Sequence, residues 1–272
     1  WSPCKKLPNV PTCFDMPDAQ PDWCPKNTGY EKDKGKMIAI KKGLATSNNY
    51  ITAYIMKQFG PQAVVDFARR VGISSHMDAV PSLCLGTPDI SVFEMVGANA
   101  SFANKGRWTE PFFVTRIEDK HGKVLADFFP KTEEIMSEDR AFVMLRLMKG
   151  VVQYGTGVRI RYRYKLLNPI AGKTGTTQNN SDGWFMGLTP DLVSGCWVGA
   201  EDRDVHFRRT SDGQGASMAL PIWAKYMQRV YDDKTIDISQ DDFEKPNKKV
   251  AVTLDCDNQE QGSDPIINFD TP

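Results

Sequence analysis

The sequence predicts an α/β fold in which an antiparallel sheet is flanked by helices, with an all-helical subregion ahead of it. Three observations carry this. Strand-like runs at 170–174, 184–188 and 193–199 follow in series with short polar connectors, among them the turn Thr189-Pro190-Asp191, the pattern of an antiparallel meander. Ahead of them, apolar residues recur mostly at helical rather than alternating spacing. Behind them, 216–231 reads as one amphipathic helix that buries Ala219, Leu220, Trp223, Met227 and Val230.

Residues 1–36 hold many Pro, Asp and Lys and read as an extended strap. Met37, Ile40 and Leu44 then recur at helical spacing, and a second register runs through Ile51, Tyr54, Ile55 and Phe59 to a stop at Gly60-Pro61. Between the two lies Ser47-Asn48-Asn49, at a helix-to-helix junction. Further helices are expected over 62–71, 88–104 (Ile90, Phe93, Val96 and Ala100 on one face) and 141–152. Residues 112–117 and 123–126 flank a Lys120-His121-Gly122 turn and predict a small hairpin. Gly155-Thr156-Gly157, followed by Arg159, Arg161 and Arg163, reads as a mobile stretch; a basic run of this kind is usually a solvated face, with contact to an acidic glycan-peptide as the sharper reading. Pro221 is tolerable in the first turns of the 216–231 helix. In an acidic, polar tail over 234–272, only 250–254 alternates well enough for one more strand, docked on a neighbouring surface. The division expected is therefore a strap at 1–36, a main body at 37–233 and a tail at 234–272.

At 272 residues the chain fits one α/β domain with a tail, and 40% hydrophobic residues with six Trp argue for a sizeable core. Lys plus Arg equals Asp plus Glu at 34 each, so no electrostatic steering toward nucleic acid or an anionic membrane is expected. No apolar run approaches the ~18 residues that span a bilayer, and the first residues do not read as a signal peptide. Of six cysteines, Cys4, Cys13 and Cys24 fall in the proline-rich strap, where a disulfide such as Cys13–Cys24 would staple a segment too loose to build its own core; sequence alone leaves the pairing open. Wide cysteine spacing and the scattered His76, His121 and His206 give no reason to expect a metal, and no cofactor motif stands out. Cys196 reads as a buried strand residue.

Chemistry concentrates in Lys173-Thr174-Gly175-Thr176, at the edge of the predicted sheet. Lys173 offers a compact positive charge, Thr174 and Thr176 offer rotatable donors, and Gly175 lets another backbone approach because it lacks a Cβ. Together they make a receptacle for a carboxylate beside a reacting carbonyl. The bland readings are a lysine placed on a strand edge against aggregation, and a helix cap at Ser47-Asn48. Ser47 lies 126 residues before Lys173 and offers a hydroxyl able to donate and accept at once.

These two motifs resemble the active-site elements of penicillin-interacting serine acyl-transferases. Leu44-Ala45-Thr46-Ser47-Asn48-Asn49, the 95–104 segment, Gly150-Val151-Val152 leading to Gly155-Thr156-Gly157, and Ala219-Leu220-Pro221-Ile222-Trp223 are similar to transpeptidase domains of bifunctional (class A) penicillin-binding proteins, over about 38–227 and in the same order. The resemblance implies a serine β-lactamase/transpeptidase-like fold and a D,D-transpeptidase that crosslinks peptidoglycan stem peptides through an acyl-serine and is the target of β-lactams. It implies proton relay by Ser47 and contacts from Asn49 to the acylated peptide's amide and to a helix-borne lysine. Lys173 would keep the local potential positive, the Thr174 and Thr176 hydroxyls would bind the terminal carboxylate, and the Thr176 N–H would form half of an oxyanion hole. It also implies a place on the outer face of the bacterial cytoplasmic membrane, through an anchor upstream of the catalytic domain.

The family's nucleophile belongs to a Ser-x-x-Lys helix, and Ser2-Pro3-Cys4-Lys5 is the one such spacing here; Pro3, Pro8 and Pro11 rule out a helix carrying Ser2 and Lys5 on one face. The expectation is therefore the downstream part of a catalytic domain, inactive by itself, with apolar surface bared for self-association. A D,D-carboxypeptidase or serine β-lactamase, and a binding or sensor module naturally without a nucleophile, are the competing readings.

Overall fold

The computed structural model describes residues 1–16, 21–28 and 33–256. The strap is held at both ends. β1 (Lys6–Pro8) pairs antiparallel with β2 (Met37–Ala39), which puts Leu7 and Ile38 inward against Ile51. Phe14 and Trp23 form a single antiparallel bridge, and the Cys13–Cys24 disulfide closes beside it with the Cα atoms 4.3 Å apart. The expected staple is present.

Then come α1 (Ile40–Ala45) and α2 (Asn49–Phe59). They cross at Gly43, where a Cβ would stand 2.8 Å from the Ile51 side chain, closer than real contacts allow. Gly60, at φ 76°, turns the chain into α3 (Pro61–Arg70), whose proline occupies the first helical position, where its missing N–H costs nothing. α4 (Val92–Ala103) starts at Val92 rather than at 88, because Ser91 and Glu94 close a reciprocal capping box there. The Glu94 carboxylate also accepts from the backbone and hydroxyl groups of Ser74 and Ser75, which hold it well below the usual carboxylate range against the opposing effect of burial.

Two small ribbons lie between α4 and α5: β3 (Arg107–Thr109) with β6 (Thr132–Glu134), and the expected hairpin, β4 (Arg116–Glu118) with β5 (Val124–Asp127). α5 (Glu138–Gln153) and the short α6 (Arg159–Tyr162) follow.

The meander is β7 (Ala171–Thr176), β8 (Gly183–Leu188) and β9 (Val193–Val198), in that order across the sheet. β7 therefore runs along an edge. Its register sets Lys173 opposite Met186 and Thr174 opposite Phe185, so alternation places Lys173 and Gly175 on one face and Thr174 and Thr176 on the other. After α7 (Thr210–Gly213), α8 (Ala219–Asp232) covers the sheet on the Phe185 face. Trp223 meets Phe185 edge-on at 5.0 Å, donates its Nε1–H to Ser194 Oγ at 2.8 Å, and fits because Gly187 has no Cβ to strike its ring. Burying such a ring stabilises by roughly 4–6 kcal/mol on area alone. On the opposite face Leu145 and Met148 of α5 pack on Ala171 and Leu188.

The tail departs from expectation. Residues 250–254 form no strand. Alternation is only half of a strand, which also needs a partner edge; here Lys41 Nζ takes the Leu254 carbonyl at 3.2 Å, and a second disulfide, Cys4–Cys256, ties the segment to the strap. Earlier in the tail, Phe243 is buried in the α5–sheet core. Residues 257–272 of the expected tail lie outside the described residues. Cys84 and Cys196 are free thiols; Cys196 lies on β9, half-buried, and burial pushes both thiols up, Cys84 to about 11. Among the described residues, no helix is long and apolar enough to cross a membrane.

Candidate active site

The first half of the site is the corner between α1 and α2. Ser47 has φ 54°, a left-handed conformation that costs a non-glycine residue about 1–2 kcal/mol. The corner is held by Ser47 N–H to Leu44 O at 3.1 Å and Asn48 N–H to Gly43 O at 2.9 Å. Asn48 is the cap: its Oδ1 accepts from Ile51 N–H at 3.1 Å, while its Nδ2 donates to Asn9 Oδ1 at 2.8 Å. The two sequence readings of this motif thus fall on neighbouring residues. Asn48 does the capping and frees the Ser47 hydroxyl.

The second half is β7. Lys173 Nζ donates to Ser47 Oγ at 2.8 Å and to Thr174 O at 2.8 Å. No carboxylate pairs with it among the described residues, and burial lowers its ammonium to about 8. A lysine in this state keeps its charge at neutral pH yet gives up a proton more readily than a surface lysine.

The chain belongs to the penicillin-binding protein transpeptidase family. Its residues 15–200 match the family model described as penicillin binding protein transpeptidase domain. It is similar to penicillin-binding protein 1A of Aquifex aeolicus, 32% identical over 238 residues that make up 88% of this chain and 31% of that one. Penicillin-binding protein 2D of Bacillus subtilis is 32% identical over 237 residues, 84% of this chain and 33% of the relative. The chain spans about a third of the length of the curated relatives it matches. Among solved structures, penicillin-binding protein 1A from Haemophilus influenzae superposes with a TM-score of 0.75 at 25% identity, covering 88% of this chain and 40% of that one. The PonA1 protein from Mycobacterium tuberculosis in complex with penicillin V superposes with a TM-score of 0.69 at 24% identity over 89% of this chain and 66% of that one, a likeness of fold.

Within this transpeptidase domain the other sequence-predicted residues are placed unevenly. Thr176 is exposed, and its hydroxyl accepts the Gly215 N–H at 3.0 Å, which leaves its own proton free to donate. Thr174 is buried, and its hydroxyl lies 2.6 Å from that of Thr156. At Gly175 the missing Cβ faces Trp184, whose Cβ would be 3.0 Å away, so the glycine serves packing as well as approach. Asn49 is the first residue of α2; its N–H goes to Asn27 Oδ1 and its Nδ2 to Lys26 O, both at 2.7 Å. The structure joins Ser47, Lys173 and Thr174 in one cluster and ties the Asn49 side chain to the strap.

Ser2 and Lys5 share no helix: Lys5 N–H closes a turn on Ser2 O at 3.1 Å, and the Lys5 ammonium sits 4.3 Å from the centre of the Trp1 ring. In the 155–163 stretch Arg163 is exposed, as a solvated face would have it, while the other two arginines are engaged by the protein. Arg159 Nη1 donates to Ser217 Oγ at 2.8 Å and Ala216 O at 3.2 Å, and Arg161 Nη1 donates to Leu166 O and Asn168 O. These two guanidinium groups satisfy backbone carbonyls that have no partner in a ladder. Sequence reasoning missed Thr156, Asn27 and Gly215. Only Thr156 had a signal, its two flanking glycines.

Proposed function

We propose that this chain supplies the proton-relay and carboxylate-binding side of a peptidoglycan D,D-transpeptidase site in a bifunctional cell-wall synthase, acting at the outer face of the bacterial cytoplasmic membrane and open to β-lactams. The single observation that carries the reading is the 2.8 Å hydrogen bond from Lys173 Nζ to Ser47 Oγ. An ammonium that donates to a hydroxyl leaves that hydroxyl's proton free to be passed on.

In the proposed reaction an acyl-forming serine and its lysine base come from a segment that this sequence does not contain. That serine attacks the carbonyl between two D-alanines. The lysine base takes that serine's proton and gives it to Ser47 as Ser47 hands its own to the departing D-alanine amine; when an amine from a neighbouring stem intercepts the acyl-enzyme, its proton returns to the serine by the same route. Covalent catalysis of this kind splits one hard exchange into two easier ones. Lys173 keeps the cleft positive while the substrate's terminal carboxylate is held by the exposed Thr176 hydroxyl, with Thr174 beneath it on the same strand face. The Thr176 N–H is one oxyanion donor, a contact typically worth ~3 kcal/mol in the transition state. Asn49 offers the acylated peptide its amide oxygen and its second amide N–H, the first N–H being held by Lys26 O. Two disulfides suit an oxidising compartment outside the cytoplasm.

The test is mass spectrometry of this chain after incubation with a penicillin, beside the full-length protein. The full-length protein gains one adduct and the chain gains none. A stoichiometric adduct on the chain would move the nucleophile into it and overturn the assignment. The proposal extends to self-association of the isolated chain through exposed apolar residues; the most exposed, Phe113 and Phe129, flank the β4–β5 hairpin at 85% and 87%. A single monomeric species across concentrations in sedimentation would contradict it.

A further inference from the structure

The link between α5 and α6 sits between the two halves of the site. Thr156 donates its backbone N–H to Ala45 O at 3.0 Å, two residues before Ser47. Its hydroxyl lies 2.6 Å from the buried hydroxyl of Thr174, the residue after Lys173. Gly155 makes the approach feasible, since a Cβ there would be 2.1 Å from Ala45 O. The loop is locked from its other end by Gly155 N–H to Gly150 O at 3.0 Å and Gly157 N–H to Val151 O at 2.9 Å, both on α5. The far end of α5's core, Leu145 and Met148, rests on β7 residue Ala171.

We propose that Thr156 is a positioning residue of this transpeptidase site, a hydrogen-bonded strut that sets the distance between the Ser47 corner and the Lys173 strand. The inference rests on the functional reading above for its consequence, and on the geometry alone for its existence. The Lys173–Ser47 bond joins two segments that share no strand pairing. A hydroxyl-to-hydroxyl bond beside it, with the same residue's N–H on the opposite segment, fixes their separation. Without the strut each half keeps its own fold while the cleft between them loosens. A relay needs its atoms within hydrogen-bond reach, so loosening falls on the rate of the chemical step rather than on substrate affinity.

The experiment compares Thr156→Val, which keeps the shape and removes the hydroxyl, with Thr156→Ser, which keeps the hydroxyl. In the full-length protein, acylation by a penicillin is resolved into binding and bond formation. In this chain, the titration of the Lys173 ammonium is followed by NMR of labelled lysine. T156V is expected to slow bond formation about tenfold at unchanged binding, and to raise the Lys173 midpoint from about 8 toward the ordinary lysine range as water enters; T156S stays within about twofold. If T156V does not fold, Thr174→Val removes the same bond from the other side and is read by the Lys173 titration alone, which is expected to shift as in T156V. Wild-type bond-formation rates and an unmoved Lys173 midpoint in T156V, or a T156S as impaired as T156V, would overturn the strut. A wild-type protein that no penicillin acylates would sink the functional reading and leave the titration to decide the strut.

Discussion

Lys149 Nζ, buried on α5, lies 2.6 Å from both carboxylate oxygens of Asp242, 93 residues further along the chain. Asp242 is half-exposed while the lysine is almost wholly buried, so the pair is a surface carboxylate reaching in to neutralise an interior charge. Burial works to raise the Asp242 carboxyl, but the Lys149 bond, the Phe243 N–H and the charges of Lys149 and Arg146 together outweigh it, leaving the group below the ordinary aspartate range. Its neighbour Phe243 enters the core between α5 and the sheet. The tail is thereby pinned to the helix that backs the motif strand.

Asp242→Asn should destabilise the chain by about 1–3 kcal/mol, because it leaves an ammonium buried without a counter-charge. In a Lys149→Met background the same change should be nearly neutral. Urea unfolding of the four proteins reads both quantities. Equal costs of D242N in the two backgrounds would show that the pair does not act as one.

The two disulfides should contribute unequally. Cys4–Cys256 closes a separation of 252 residues and Cys13–Cys24 one of 11. In the chain-entropy account the longer closure restricts the unfolded ensemble more, within a typical range of about 2–4 kcal/mol. Cys256→Ser is therefore expected to lower the melting temperature further than Cys24→Ser. The reverse order would contradict the account.

Lys173 should make stability depend on alkaline pH in an unusual direction. Its folded value is about 8, whereas an unfolded lysine titrates near ~10.4. Between those values the unfolded chain binds more protons than the folded one, so unfolding free energy rises with pH. Below about 8 the cost of enclosing the charge is fully present. Relative to Lys173→Met, the wild-type chain should gain stability from pH 7 to pH 9.5 in urea titrations. Parallel profiles would show that the lysine is not desolvated. The proposed carboxylate site should weaken across the same window, as the cation discharges.

Much of the sheet was legible because its signals are local. The short apolar run of β8 and the turn before β9 are set by neighbours in sequence, and the meander follows. Ser47 and Lys173 were legible through resemblance, and their meeting came from the fold. The start of α4 was written in Ser91 and Glu94, a capping-box spacing outweighed by the apolar pattern that begins earlier. Thr156 was hidden because glycines on both sides look like slack, whereas here Gly155 permits contact with the Ala45 carbonyl and Gly157 lies against Val151. Neither the Cys4–Cys256 pairing nor the loss of a strand at 250–254 could be read locally. Both depend on which surface the tail meets.

At the centre of the account, Ser47 and Lys173 form one functional unit bridging two segments. The most direct measurement is the acylation rate of the full-length protein by a penicillin in Ser47→Ala, Lys173→Ala and the double variant. Each single change is expected to slow acylation by about 10²–10⁴-fold, and the double variant should be no slower than the worse single one, as befits groups that act together. Acylation of either single variant at the wild-type rate would contradict it.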